Sequence, residues 1–405
     1  MWGAYTNYWR TRGVFNLTVN KPAPYYNLSS RLPQLRTRTW TLGQMVQEIQ
    51  YMLLEAANGI SGAGMSGQVT VQSILNAIQV ARDRFVLDVR FPTGFGVVQV
   101  SPAPTNGMVS FTQTSIYVHR VMWQDTFSGV WTNLWREDAW SVDKNNPQWT
   151  IQPSSPLQFS EAENSPLQLQ ISPIPLNEGQ LEVLTCDSLQ LNQALSSQTF
   201  GLPDEWIHAV KYGALSYILS SESQIFDPLR SQYADFRYKQ AVDLANSARS
   251  IIRLMCNNYP LPIDSLAAID ASNPYWRNQI GIPQVAGVLY DIVAFSPGLA
   301  DQPYGIAADV VQSAPLPTLS AGPTNYLQVG GEDLDTIAKE TVHLLTFKCG
   351  GNDFKSTWGG HDDFMKSVAG RNAINAAKIR YLKPLLAQPQ KEWAERPDRL
   401  AVTNA

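Results

Sequence analysis

His119, His208, His343 and His361 are the side chains best suited by type to move a proton or hold a metal near neutral pH. None has a second histidine four residues away, and no H-E-x-x-H occurs, so the helical zinc-hydrolase pattern is missing. His361-Asp362-Asp363, with Asp353 upstream, has the oxygen-rich make-up of a cation site. The competing reading is a helix start after Gly359-Gly360, with acids at the positive end of the helix dipole. Glu161/Glu163 and Glu137-Asp138 are close carboxylate pairs. Only the second has aromatic company, in Trp131, Trp135 and Trp140, the combination a sugar-binding or sugar-cleaving site would use. The run "NGISGAGMSG" brings together Gly59, Gly62, Gly64 and Gly67. A phosphate cradle needs a strand before such a loop and a Lys-Ser/Thr after it, whereas helical patterns flank this one. Cys186, Cys256 and Cys349 lie far apart with no C-x-x-C, which indicates neither a disulfide framework nor a zinc knuckle. From these spacings we expect no catalytic residues, no metal and no cofactor in a protein that is not an enzyme.

The elements that would position such residues are written in a duplicated pattern. Asn146-Pro147-Gln148-Trp149 returns as Asn273-Pro274-Tyr275-Trp276, 127 residues later. Asp143 returns as Asp270 at the same offset, and "ISP" at 171–173 returns as "FSP" at 295–297, an offset of 124. Lys211 falls on Lys339, and Asp235-Phe236 on Asp363-Phe364, at offset 128. Offsets this steady over more than a hundred positions mean internal duplication. The copied residues are turn formers and apolar anchors. Asn146, Pro147, Trp149, Asn273, Pro274 and Trp276 therefore read as structural anchors: Pro fixes φ and turns the chain, and the Trp pins the turn to a core.

Around these anchors the pattern switches between two periods. "LQLQI" alternates apolar and polar residues as a half-buried strand does, and "GVLYDIVAFS" reads as its counterpart. "LPDEWIHAVKYGALSYILSS" opens with acids and continues at helical spacing; "PLRSQYADFRYKQAVDLANSARSIIRLM" reads as a second, longer helix. The expected fold is α+β, a duplicated unit of a small β layer followed by a helix pair, with a helical region before it. The expected division is an arm over 1–40, a helical hairpin over 41–95 that is a candidate partial repeat, units over 96–255 and 256–383, and a tail over 384–405.

Composition narrows the function. Charged residues are 16% of the chain, against about 25% in an average soluble domain. There are 12 Trp. Such a surface suits burial between subunits, where Trp and Tyr are favoured over Lys and Glu. The net charge of −4 argues against a phosphate-gripping surface, and the densest basic run, "RLPQLRTR" from Arg31, reads as a loop or protein contact. The start of the chain lacks the pattern of a signal peptide, and no run of about 18 apolar residues occurs, so no membrane partner is expected.

The stretches "PYYNLSSRLPQLRTRTWTLGQMVQEIQYMLLE", "VWTNLWREDAWSVDKNNPQW", "LPDEWIHAVKYGALSYILS" and "DPLRSQYADFRYKQAVDLA" resemble a family of tailed-bacteriophage and prophage virion proteins, over about residues 20 to 385. The resemblance implies a structural protein of the phage neck, an adaptor ring of about twelve copies between portal and tail, assembled in the host bacterial cytoplasm. It implies as partners other copies of this chain, the portal and the next neck or tail protein, with DNA passing non-specifically. Another tail or baseplate protein is the alternative; a carbohydrate-binding or depolymerase tail module is a further one. The ends are the expected connectors. Trp2, Tyr5, Tyr8, Trp9 and Phe15 crowd the first seventeen residues, and Trp393 is the one large anchor of the tail, so these six are the interface candidates.

Overall fold

The computed structural model describes residues 11–17, 26–27, 40–53, 69–310 apart from short gaps, and 334–370 without 368 and 369. Two strands come first, β1 (Thr11–Leu17) and β2 (Tyr26–Asn27). The helices α1 (Leu42–Met52) and α2 (Val71–Val89) follow. Thr41 opens α1 with a capping box: its hydroxyl accepts from the Gln44 amide, and its own N–H donates to the Gln44 side chain at 2.9 Å. Met45, Val46 and Ile49, and Ile74, Ile78 and Phe85, give the two helices buried stripes at helical spacing.

Next come β3 (Thr93–Val100), β4 (Met108–Ser110), β5 (Ser115–Asp125), β6 (Trp131–Asn133), β7 (Trp135–Arg136), the short α3 (Ala139–Asn145), β8 (Gln158–Ala162), β9 (Gln168–Ser172) and β10 (Gly179–Asp187). The helix pair α4 (Ile207–Ser220) and α5 (Pro228–Ser247) ends this part. The order then recurs: β11 (Ile251–Cys256), β12 (Tyr259–Leu261), β13 (Ile263–Asp264), α6 (Leu266–Ser272), β14 (Ile280–Gly281), β15 (Val285–Leu289), β16 (Ile292–Ser296), β17 (Gly298–Leu299) and β18 (Tyr304–Val310). Helices α7 (Leu334–Thr346) and α8 (Gly351–Ser356) and helical residues from 358 close the described chain. The chain divides into two compact units, one of Met1–Leu35, Ala248–Thr341 and Trp358–Ala405, the other of Arg36–Ser247 and Val342–Thr357.

Each unit holds one β sandwich. In the first, sheets β3-β10-β5-β6 and β4-β9-β8-β7 enclose a single core, with Val121, Trp123, Leu181 and Val183 on one side and Phe159, Leu169 and Ile171 on the other. In the second, sheets β1-β18-β11-β12 and β2-β16-β15-β13 enclose Leu254, Cys256, Ile306 and Ala308, and Ala286, Val293 and Phe295. The two match strand for strand. The parallel pair β7–β8 has its counterpart in β13–β15, and the two-residue pair β14–β17 in the Ser154–Pro175 bridge. The change of offset from 127 to 124 is a shorter hairpin: five residues separate β8 from β9, and two separate β15 from β16.

The repeated Asp, Asn and Trp form a clamp. Helices α3 and α6 are seven residues each. Asp138 caps one by accepting from the Ser141 amide at 2.8 Å, and Ser265 caps the other from the Ala268 amide at 3.1 Å. Each helix ends at its Asn, Asn146 or Asn273, whose carbonyl takes the amide of the following Trp at 3.1 Å. The indole N–H then reaches back to the helix, Trp149 to Asp143 at 2.8 Å and Trp276 to Asp270 at 2.9 Å. Both rings are buried, at 4% and 1% exposure. Burying an indole N–H without an acceptor costs free energy, and the Asp six residues earlier supplies the acceptor here. Pro147 lies in the turn, while Pro274 is outside the described residues.

Side-chain volume is exchanged between the copies. At Gly179 an added β-carbon would collide with the Trp123 ring, so only Gly fits beside that indole. In the second sandwich Cys256 stands in the place of Trp123 and Tyr304 in the place of Gly179, and both are buried. Large with small has become small with large, which keeps the core filled.

Three expectations need correction. The arm over 1–40 is not a separate piece, because β1 pairs with β18 and β2 with β16 in the second sandwich. The helix expected to run to Met255 stops at Ser247, and Ile251–Cys256 is a strand, so a boundary between 255 and 256 would cut β11. "IIRLM" fits either period; Leu254, Met255 and Cys256 are buried and the backbone pairs with β18, so the sandwich decides. "GVLYDIVAFS" is the hairpin β15–β16 where one apolar run was expected. The β layer is accordingly a two-sheet sandwich that begins before residue 96, at Thr93.

Trp149→Ala or Trp276→Ala removes a buried indole and its bond to the helix, and each is expected to lower stability by about 3–5 kcal/mol. Denaturant unfolding checks this, and a loss under about 1 kcal/mol would contradict the clamp.

Candidate interaction surface

The structure brings the predicted structural anchors together in two clamps. It treats the predicted interface residues differently. Phe15 lies on β1 opposite Ile306, within a sheet. Trp2, Tyr5, Tyr8, Trp9 and Trp393 lie outside the described residues.

Two of the three tryptophans that sequence reading weighed for sugar binding stand out instead, along with two other exposed apolar side chains. Trp140 is 87% exposed, Trp135 70%, Phe127 91% and Ile151 77%. Trp135 is on β7, an edge strand, and its amide donates to the carbonyl of Leu157, itself more than half exposed, at 2.9 Å. Trp140 follows in the first turn of α3. The duplicate shows what the fold requires at these positions. Pro262 stands in the place of Trp135 and Ala267 in that of Trp140, in a sandwich of the same topology. The buried Trp was kept in both copies; the exposed ones were not. Burial explains Trp149 and Trp276; it does not explain Trp135 and Trp140, which the described fold leaves exposed.

Two of the nearby acids, Asp138 and Glu161, are engaged in holding the backbone or a cation, while Glu163 lies outside the described residues. Asp138 caps α3, and the amide and hydroxyl of Ser141 hold its carboxyl below the usual range. Glu161 pairs with Arg136 at 2.6 Å; burial pushes its carboxyl up, and the Arg136 charge opposes this. Tyr117 carries Arg90 and Arg136 over its ring, at 4.7 and 5.3 Å.

The histidines are structural in their surroundings. His361 Nδ1 lies 2.8 Å from Glu340 Oε2, and both are buried. At offset 128 these two positions are Tyr233 and Tyr212, whose rings meet edge to face at 6.2 Å. One copy fills the space between its helices with an aromatic pair and the other with an acid and a histidine. Asp363, another of the weighed ligands, has Lys339 at 3.9 Å, and no group of three metal-binding side chains occurs among the described residues. His343 is stacked on Phe354 at 4.4 Å with Nδ1 2.7 Å from the Thr357 hydroxyl.

Two features were missed in the sequence. His119, at a register slip between β5 and β10, puts Nε2 3.0 Å from the buried Cys186 thiol; the two are 67 residues apart and carry no local signal. Gly62-Ala63-Gly64-Met65-Ser66-Gly67 does spell G-x-G-x-x-G, but the element before it is α1, not the strand a dinucleotide loop requires, and the loop itself lies outside the described residues. No protein-family model matches this chain, and no curated protein matches it.

Two outcomes follow from the histidines. His361→Ala or Glu340→Ala removes one side of this 2.8 Å contact from a buried site and should lower stability by about 3–5 kcal/mol. The double variant E340Y/H361Y, which installs the pair of the first copy, should recover most of that loss in a double-mutant cycle. His208 keeps an exposed edge, yet burial, and then the Lys211 charge, hold its imidazole well below the ordinary 6.5. Below pH 6.5 the unfolded chain takes up a proton that the folded chain refuses. Stability should therefore fall as pH drops below 6.5, by up to about 1.4 kcal/mol per pH unit from this group. His208→Gln should remove that slope in unfolding measured from pH 7.5 to 5.

Proposed function

We propose that this protein is a structural component of a tailed-phage particle, a neck adaptor ring that joins the portal to the tail and lines the DNA passage. The observation that carries the reading is the exposed aromatic surface of the first sandwich, at Trp135 and Trp140, in positions the duplicate shows the fold does not need. On a chain with only 16% charged residues, such a surface favours contact with protein. The resemblance of several stretches to phage virion proteins supplies the setting. A net charge of −4 suits a passage through which DNA moves without being held by counterion release. Sugar cleavage at the same tryptophans is the weaker reading, because Asp138 caps a helix and Glu161 is paired with Arg136.

Purified protein is expected to form a ring of about twelve copies by native mass spectrometry and to bind a portal ring. In W135S/W140S the unfolding midpoint should stay put, because neither ring is buried, while ring formation or portal binding weakens at least tenfold. A ring of three or six copies would move the protein to the tail or baseplate. Retention of full assembly and portal binding by the double variant would remove the surface from the argument.

A further inference from the structure

β1 and β2 occupy in the second sandwich the seats that β3 and β4 occupy in the first. Phe15 stands opposite Ile306 where Val98 stands opposite Leu181, and Tyr26 opposite Val293 where Val109 stands opposite Leu169. Both correspondences have the same offset, 83, and at that offset Gly13-Val14 falls on Gly96-Val97. β1 and β2 thus serve as the opening strands of the second sandwich, although they come before the first one in the chain.

That order changes how the piece is tethered. β4 runs into β5 through residues 111–114. β2 is separated from β11 by more than two hundred residues. After β2 the chain passes at Leu35 into the other unit. The connector from residue 28 to 41 can extend to about 45 Å. It carries Arg31, Arg36 and Arg38 and no acid, on a chain of net charge −4. A connector of that reach is long enough to hand β1 and β2 to a second copy. The seat on β18 and β16 makes the same backbone pairs whichever copy supplies the strands.

We propose that residues 11–27 are exchanged between copies, so that each chain's β1 and β2 complete the second sandwich of its neighbour. Repeated in one direction, the exchange is a head-to-tail contact that closes into a ring. For closure alone, this rests on the ring reading given above.

Cysteines placed across one rung separate the two arrangements. Asn16 pairs with Gly305, and an added β-carbon at Gly305 meets only Asn257 Oδ1, at 3.6 Å. In a C349S background, which removes the exposed thiol, N16C chains are co-expressed with G305C chains and oxidised. Only exchange between copies can link these two. The expected result is a disulfide-linked dimer approaching half of the mixed protein, the ceiling for random one-directional mixing, little dimer from either chain alone, and a ladder of linked chains from the doubly substituted protein. Val14→Cys with Ala307→Cys repeats the test one suitable rung away, in case the first pair is poorly oriented. Linkage confined within single chains of the doubly substituted protein, with none in the mixture, would overturn the proposal. Absence of linkage at both rungs would overturn it as well. The mass of the unsubstituted assembly, read separately, judges the ring reading: a ring without linkage between chains refutes exchange alone.

Discussion

A β-sheet edge left open presents a row of backbone N–H and C=O groups that must be paired, hydrated or covered. This constraint governs the architecture. The segment from β11 to β18 supplies three strands to each of its sheets, and the outer seats on β18 and β16 are filled by β1 and β2. The segment from β3 to β10 fills all its seats from contiguous chain. Two sandwiches of one design are therefore completed in two ways, and the second ties the start of the chain to residues 251–310.

Within each sandwich the clamp sets the local geometry. A seven-residue helix is too short to be stable alone. Here its cap, its terminal Asn and an indole bonded back to its Asp hold it against the sandwich. The carbonyls of Trp149 and Trp276 accept amides from the segment that follows the second hairpin strand, Ile174 in one copy and Gly298 in the other, both at 3.3 Å. One residue thus links helix, turn and sheet, which is why Trp survived at this position when so many neighbours diverged.

The duplication was legible in the sequence because its anchors are chemically unusual: Asp, Asn and Trp at fixed spacing cannot be replaced by generic apolar residues. The helices were legible from their period, as in "LPDEWIHAVKYGALSYILSS". The segment at offset 83 was not, since backbone pairing fixes its place and only Gly-Val is shared. β11 was misread because two isoleucines and a Leu-Met pair satisfy a helical stripe as well as a strand. The exposed tryptophans were visible as residues, but not as a surface. Their meaning came from comparing Trp135 and Trp140 with Pro262 and Ala267, once the copies were known to share one topology.

The exchange of volume between Trp123 with Gly179 and Cys256 with Tyr304 bears on how the chain avoids tangling during synthesis. Tandem domains of similar sequence are prone to pair with each other's strands while they fold. A hybrid of β5 with β18 would press the Trp123 indole against Tyr304, and one of β11 with β10 would leave Cys256 facing the gap at Gly179. Either mismatch penalises the wrong partner at the centre of the core. The two copies have diverged just enough in shape to recognise themselves.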